Sequence, residues 1–236
     1  MNQFAMAFTP EKLEEAWHVF LTEFPLGLWE TLYVTLLSTL FAIILGMPLG
    51  IILVTGDENG IRPLPRPLMK ALNVVINFLR SVPFLILIVM VIPLTRAIVG
   101  TSIGSVASIV PLVVAAFPFV ARLVESSLRE LDPNIIEMAQ SMGASTMQII
   151  FNVMLPESVP SLINNFTLAI TTILGYTAMS GAMGGGGLGK IAINYGYSRY
   201  KYAVLYLAVI VLVLLVGIFQ TVGTRLAIRL DKRIKK

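Results

Sequence analysis

The sequence contains no cysteine and a single histidine, His18, and only 13% of its 236 residues are charged. Without cysteine the chain forms no disulfides and carries out no thiol chemistry, and one histidine alone cannot assemble a metal cluster. We therefore predict neither catalytic nor metal-binding residues. Soluble domains carry about 25% charged residues, and so few charges cannot cover a water-soluble protein of this size.

Apolar residues are abundant instead: they make up 56% of the chain, and the mean hydropathy is +0.85. A helix needs roughly 20 apolar residues to cross the hydrocarbon of a bilayer, and a helix also satisfies its own backbone hydrogen bonds there. We therefore predict an all-α integral membrane protein with five transmembrane helices. The predicted spans are residues 28–54, 74–96, 104–124, 160–182 and 203–224.

The placement of lysine and arginine predicts how the spans are oriented. Twelve of these basic residues flank the spans on one predicted side and five on the other. Since the cytoplasmic side carries the excess, we predict that the N-terminus lies outside the cell and the C-terminus in the cytoplasm. Residues 224–236 form a basic cytoplasmic tail, which we expect to contact anionic lipid headgroups.

The N-terminal segment has a weaker pattern of its own. Thr9 is a good helix cap, Pro10 suits the first helical position, and Glu11 complements the helix dipole. Apolar residues then recur at helical spacing from Leu13 to Phe20. We predict that residues 1–27 are an extracytoplasmic segment with a helix lying on the membrane surface.

The connection between the third and fourth spans, residues 130–158, has the strongest pattern. Asp132 and Pro133 predict the start of a short helix, and Gly143 predicts its end. A second amphipathic piece covers 145–154, with its apolar residues on one face, and prolines separate it from span four. The apolar residues are Met147, Ile150, Phe151 and Met154, and the prolines are Pro156 and Pro160.

Such a pair of helices predicts a compact cytoplasmic protrusion that docks onto a soluble partner. The alternative is an ordinary solvated loop, but a long connection without a function is uncommon in a compact protein.

The same segment resembles the cytoplasmic signature of ABC importer permeases. In that signature Glu, two Ala, Gly, Ile and Leu-Pro stand at fixed intervals, and Met138 and Val153 here replace one Ala and the Ile. The matching residues are Glu137, Ala139, Gly143, Leu155 and Pro156. Residues 78–104 and 175–197 are similar to the permeases of methionine importers, and the whole resemblance covers residues 28–223.

The resemblance implies the fold and the partners. It implies the type I ABC importer permease architecture in a bacterial inner membrane, with residues 130–158 as the coupling loop. Two copies of the permease would pair with two copies of an ATP-binding subunit, which holds ATP and Mg²⁺ while the permease holds no cofactor. An extracytoplasmic substrate-binding protein would deliver D- or L-methionine, and nucleic acid is not an expected partner.

Two alternatives stay open at this stage. The first is that the same kind of ABC importer carries another small solute instead of methionine. The second is that the chain is a transporter driven by an ion gradient. Gradient-driven transporters often carry acidic residues within their spans. Only Glu30 and Glu125 lie near a span in this chain, and both lie at span ends.

Residues 184–190 almost match a phosphate-binding loop. The first seven positions fit, but Ile191 stands where the magnesium-binding Ser or Thr belongs, and no buried strand precedes the loop. We predict instead a flexible outer turn that allows close approach of backbones. Such a turn would contribute to an outer gate or to docking of the binding protein.

Polar residues inside the predicted spans are the remaining candidates. Arg80 is either a functional intramembrane charge or a charge at the membrane edge whose side chain reaches the headgroups. Small and polar residues in span four predict packing against a second copy or the lining of a translocation pathway. These residues are Asn164, Thr167, Thr171, Gly175 and Ser180.

Overall fold

The structure is a computed structural model that describes residues 9–231. Within that range it contains ten α-helices, two π-helical segments and no β-strand. The α-helices are α1 (Pro10–Thr55), α2 (Arg66–Ser81), α3 (Phe84–Met90), α4 (Ile92–Val99), α5 (Ser105–Arg129), α6 (Pro133–Ser141), α7 (Thr146–Gln148), α8 (Leu155–Ala182), α9 (Gly187–Ile191) and α10 (Tyr202–Leu230). The π-helical segments are Ile149–Met154 and Ala192–Tyr197. The ends of the predicted N-terminal segment and basic tail, residues 1–8 and 232–236, lie outside the described residues.

The predicted all-α membrane fold is confirmed. Among the described residues, four helical stretches are long and apolar enough to cross a membrane, namely α1, α5, the stretch containing α8, and α10. A fifth span results if α2 and α3 together count as one broken span. The prediction of five spans therefore agrees with the structure when the α2–α3 pair is counted as one span.

The N-terminal helix differs from the prediction. It begins at Pro10, as the capping residues indicate, but it continues without a break to Thr55 as one helix of 46 residues. A separate surface helix before span one is therefore wrong. The cause is packing: Ala16, Val19 and Phe24 are buried in one apolar cluster with residues that include Leu188 and Val204.

The second predicted span, 74–96, is not one helix. Helix α2 ends at Ser81, α3 begins at Phe84, and the helix axis bends by 108° between them. Pro83 explains the break, since proline lacks an N–H and excludes the residue before it from the helical region. Val82 accordingly adopts extended backbone angles, φ −74° and ψ 124°.

The described chain divides into two compact units. The first contains residues up to 39 together with 83–113 and 170–218. It is centred on the apolar cluster that buries Phe24, Leu188 and Val204. The second unit contains residues 40–82, 114–169 and those from 219 onward, and it includes the predicted coupling loop.

In the second unit, α1 packs against α5 through two glycines spaced four residues apart. A Cβ on Gly46 would lie 2.7 Å from the carbonyl oxygen of Phe117, and one on Gly50 would lie 2.6 Å from that of Ala121. Both distances are shorter than real Cβ contacts, so only glycine permits this approach. Small residues at this spacing bring membrane helices together where lipid supplies no hydrophobic driving force.

We predict that Gly50→Ala destabilises the protein by about 1–3 kcal/mol, because the added methyl group overpacks the contact with α5. The matched control is Gly217→Ala, since a Cβ on Gly217 of α10 meets nothing within 4 Å. Thermal unfolding in detergent measures both variants. Equal melting temperatures for the two would contradict the proposed packing.

Candidate functional site

The predicted coupling segment begins with α6, which has the expected helix start. The side chain of Asp132 accepts a hydrogen bond from the backbone N–H of Asn134 at 3.0 Å, and Pro133 is the first helical residue. The helix stops at the predicted glycine: Gly143 has a φ of +79°, a conformation that favours glycine. These signals in the sequence therefore predicted the boundaries of α6.

A second cap starts the next helix immediately. The hydroxyl of Ser145 accepts from the N–H of Gln148 at 3.4 Å, and the Gln148 amide oxygen accepts from the N–H of Ser145 at 2.8 Å. This reciprocal pair is a capping box. The segment from Gly143 to Gln148 is therefore held by local hydrogen bonds.

The capped helix continues into α8 rather than ending at the prolines. After α7, the π-helical segment Ile149–Met154 leads directly into Leu155, whose N–H donates to the carbonyl of Ile150. Pro156 and Pro160 lie inside the first turns of α8, so the predicted interruption before span four is wrong. A proline within a helix removes one backbone hydrogen bond, and the π-helical segment directly before Pro156 changes the spacing of the bonds there to i→i+5.

The predicted single apolar face of 145–154 is also wrong. Ile150 and Met154 are buried, together with Ile149, whereas Met147 and Phe151 are 64% and 59% exposed. The π-helical geometry gives the reason, since it brings residues five apart, such as Ile149 and Met154, onto one side. A pattern read with α-helical spacing cannot detect this change.

Helix α6 packs on the π-helical segment through Ala139, which is 7% exposed, and the N–H of Ala144 donates to the Ala139 carbonyl. Its outer side carries Met138 and Met142, which are 60% and 81% exposed. We call Met138, Met142 and Gly143 the knob. Flexible, exposed methionines next to a rigid turn suit binding to another protein.

The five residues of the signature motif lie on one continuous segment but differ in their burial. Glu137 is exposed beside a cavity of about 560 Å³, and Ala139 is buried. Gly143 is exposed at the turn. Leu155 is half-buried and Pro156 is exposed at the start of α8. Whether these residues contact a partner stays a prediction.

Charged residues beside this segment form a chain of ion pairs that the sequence interpretation missed. The guanidinium of Arg129 donates to Asp57 at 2.8 Å and to Glu125 at 3.1 Å. Arg129 lowers the pKa of the Asp57 carboxyl, and the backbone N–H of Glu58 adds to the effect. This contribution to stability is present at neutral pH and is lost as the pH falls through the lowered pKa of Asp57.

The ion-pair chain continues along α5. Arg122 donates to Glu125 at 2.6 Å, to Asn73 at 2.6 Å and to Asn77 at 3.0 Å, which joins α5 to α2. The i, i+3 and i+4 spacing of Arg122, Glu125 and Arg129 is the signal in the sequence that would have found this network. Glu125 is therefore a paired structural charge.

Three of the predicted span-four residues lie on the open side of α8. Asn164 and Gly175 are exposed and Thr171 is half-buried. Leu168 and Met179 lie at neighbouring positions of the same helix and are 50% and 48% exposed. We call this exposed set of residues the α8 face. Its mixture of amide, hydroxyl, small and apolar groups suits either a second copy or a solute path.

The other two predicted residues of span four belong to the interior of the chain. Thr167 donates to the carbonyl of Ile163 at 2.8 Å. A Cβ on Gly223 would overlap the side chain of Thr167, so only glycine fits at that position. Ser180 is 3% exposed and donates to the carbonyl of Thr177 at 2.8 Å. The prediction that these two line a pathway or a dimer seam is therefore corrected, since their hydroxyls are satisfied within one chain.

Arg80 lies in the last turn of α2 and is exposed. Helix α2 is amphipathic, and the apolar run begins only after the break at Pro83. Arg80 thus lies outside a continuous apolar helix, where a cation complements the C-terminal end of the helix dipole. Both interpretations of Arg80, the intramembrane charge and the charge at the membrane edge, stay predictions.

The glycine-rich turn is not arranged for phosphate. The carboxylate of Glu30 accepts from the N–H of Gly187 at 2.6 Å, and the hydroxyl of Thr31 accepts from the N–H of Leu188 at 2.9 Å. The amides that a phosphate would need are therefore occupied, and Glu30 adds a repelling negative charge. Gly184 and Gly187 have φ angles of +93° and +81°, which explains why glycine is needed there.

The close backbone approach predicted for this turn is present. A Cβ on Gly189 would meet the backbone of Ala178, and one on Gly181 would meet the N–H of Lys190. Residues 185–189 are buried, so the turn is packed and hydrogen-bonded rather than loose. The predicted flexibility is therefore wrong, and the role in a gate or in docking stays a prediction.

Comparison with known proteins agrees with this arrangement. The profile of the family described as "binding-protein-dependent transport system inner membrane component" matches residues 42–236. A probable D-methionine transport system permease protein, MetI, of Vibrio cholerae is 47% identical over 205 residues, which cover 87% of this chain and 91% of that protein. The D-methionine permease MetI of Escherichia coli K12 is 45% identical over 155 residues, or 66% and 71% of the two chains.

Solved structures give the same result. A chain of the MetNI methionine ABC transporter, in an inward-facing conformation, superposes with a TM-score of 0.85 at 43% identity and covers 87% of this chain and 95% of its own. An amino acid ABC transporter at 17% identity has a TM-score of 0.69 and supports the fold alone. This chain therefore belongs to the binding-protein-dependent transport system inner membrane components, the membrane-spanning permease subunits of ABC importers.

Proposed function

We propose that this permease carries methionine into the cell across the bacterial inner membrane, using ATP that a separate subunit hydrolyses. The observation that carries the proposal is the knob, a capped and rigid helical turn with exposed methionines at the start of the helical stretch that becomes α8. Relatives at 45–47% identity named for D-methionine transport support the choice of substrate.

The knob is joined to the helical stretch that contains α8 by a short turn, which ends at the capping residue Ser145. From Thr146 to Ala182 the backbone is helical throughout, first in α7, then in the π-helical segment, then in α8. A displacement of the knob by a partner is therefore transmitted directly along the helix that carries the α8 face. We infer that closure of two ATP-binding subunits moves two knobs and so switches the permease pair between two packed states.

The α8 face supports a route between two copies. It is open in the single chain and combines the amide of Asn164 and the hydroxyl of Thr171 with the apolar side chains of Leu168 and Met179. Methionine is a zwitterion with an apolar thioether side chain, so both kinds of group suit its passage. We propose that two α8 faces line the path and that an external binding protein delivers methionine to it.

Coupling to an ion gradient is less consistent with the charges. A carboxylate that carries protons or sodium ions must be free to bind them. Glu125 instead pairs with Arg122 and Arg129, and Glu30 accepts from the backbone of Gly187. Both acidic residues that lie near the spans thus have structural partners.

Reconstituted uptake tests the proposal directly. We predict that vesicles containing the permease and its ATP-binding subunit accumulate labelled methionine when ATP and the binding protein are supplied. Because ATP supplies the energy, a proton uncoupler leaves the initial rate unchanged. Uptake that persists without ATP and stops with the uncoupler would show a gradient-driven transporter instead.

The role of the knob is tested at Gly143. We predict that Gly143→Asp reduces the amount of ATP-binding subunit that co-purifies by about tenfold or more, because the charge enters a buried contact. Gly143→Asn is the matched control, since Asn has nearly the same size and a similar tolerance of positive φ but no charge. Equal retention of the subunit by both variants would argue against docking at this turn.

The α8 face is tested by cross-linking. The chain has no cysteine, so each new cysteine is the only one. We predict that Gly175→Cys forms a disulfide between two copies on mild oxidation, since a Cβ there meets nothing within 4 Å. Ser180→Cys, which is buried in one chain, is the control and should remain monomeric on non-reducing gels. The reverse pattern would show that another face forms the seam.

A further inference from the structure

An apolar groove in the second unit is not used by the proposed transport mechanism. One wall is the end of α1, with Ile44, Met47 and Ile51, and the other wall is formed by Met147 and Phe151. The groove has a volume of about 630 Å³. Ile44, Met147 and Phe151 are 55%, 64% and 59% exposed, so the apolar side chains that line the groove are accessible from outside the chain.

One end of the groove carries a positive charge. Arg62 lines the groove, and its backbone N–H donates to the carbonyl of Thr55, the last residue of α1, at 2.9 Å. Within residues 9–231, the guanidinium of Arg62 donates no hydrogen bond and forms no ion pair. The neighbouring Arg66 differs, since it forms an ion pair with Glu58 at 2.9 Å.

The position of this charge matters because of where α1 leaves the apolar region. Residues 31–56 contain no charged side chain, so the span ends close to Thr55. Arg62 is therefore tied to the end of the span, at the depth where lipid headgroups begin. Ile51 and Met47 lie about one and two turns further into the span.

We propose that this groove is a binding site for one phospholipid, with an acyl chain between α1 and the 147–151 wall and the phosphate on Arg62. The match is one of charge and shape: an apolar trough with a single unpaired cation at the interfacial end fits an amphiphile with one anionic group at its end. Guanidinium binds phosphate in a bidentate geometry, and basic pockets next to transmembrane helices bind anionic headgroups.

Only a third of the most apolar part of α1 is buried in the chain, which leaves the helix open to lipid along much of its length. A site on α1 is therefore reached from the bilayer without opening the protein. The wall opposite α1 belongs to the helical stretch that joins the knob to α8, but lipid binding itself does not depend on the transport function.

Native mass spectrometry of the assembled transporter, purified in mild detergent and incubated with phosphatidylglycerol, tests the site. We expect Arg62→Gln to reduce the retained lipid at least about fivefold, as the loss of one cation near a headgroup implies. Arg66→Gln is the matched control, with the same change of charge four residues away, at the first residue of α2 and outside the groove, and it should retain lipid like the parent. Equal retention by both variants, or equal loss, would overturn the proposal.

A second measurement excludes occupation of the groove by another copy of the chain. Phe151→Cys places the only cysteine of the chain in the exposed wall of the groove. We expect it to react with a membrane-soluble maleimide and, after oxidation, to remain monomeric on non-reducing gels. A disulfide-linked dimer would show that a second copy covers the groove and would overturn the lipid assignment, whereas the Gly175→Cys dimer tests the transport seam separately.

Discussion

Every backbone N–H and C=O in the membrane needs a partner, because hydrocarbon offers none and an unsatisfied group costs several kcal/mol. The long helices meet this condition by themselves, so the informative places are the interruptions. At the glycine-rich turn, Glu30 and Thr31 of α1 accept from the first amides of α9, and the N–H of Gly104 donates to the carbonyl of Gly184. Polar side chains near the spans are thus placed where the backbone leaves the helix.

Close packing replaces the hydrophobic effect within each unit. Lipid is as apolar as a leucine side chain, so helices associate through contact area and small residues. Gly46 and Gly50 bring α1 onto α5, and Gly223 brings α10 onto Thr167 of α8. An added Cβ at Gly46, Gly50 or Gly223 would overlap the neighbouring helix, so we expect substitutions there to separate the paired helices.

Hydropathy and local capping chemistry predicted most of the architecture. The spans follow from apolar length, and the start and end of α6 follow from Asp132, Pro133 and Gly143. These features depend on neighbouring residues in the sequence, so one sequence contains enough information to find them. The family resemblance came from a different set of residues in the same segment, namely Glu137, Ala139, Gly143, Leu155 and Pro156.

The prediction of the N-terminal segment failed because of contacts between residues distant in the sequence. Ala16 and Phe24 of α1 are buried in one cluster with Leu188, and no local pattern at Ala16 indicates that partner. The error at residues 145–154 has a local cause: the spacing of the π-helical segment differs from that of the α-helix, and Phe151 is exposed whereas Met154 is buried. Thr167 and Ser180 show that polar residues of a span also pack in the interior of a single chain.

The arrangement of charges argues for how energy enters the molecule. In the second unit, Asp57, Arg129, Glu125 and Arg122 neutralise one another and fix the loop after α1, α5 and α2 as one body. Fixed charges cannot bind and release an ion in each cycle, so they do not drive transport. A body fixed in this way resists deformation, which suits the role that we propose for the knob as the place where a partner applies force. The same rigidity that removes an internal energy source therefore suits the chain to receive work from a partner.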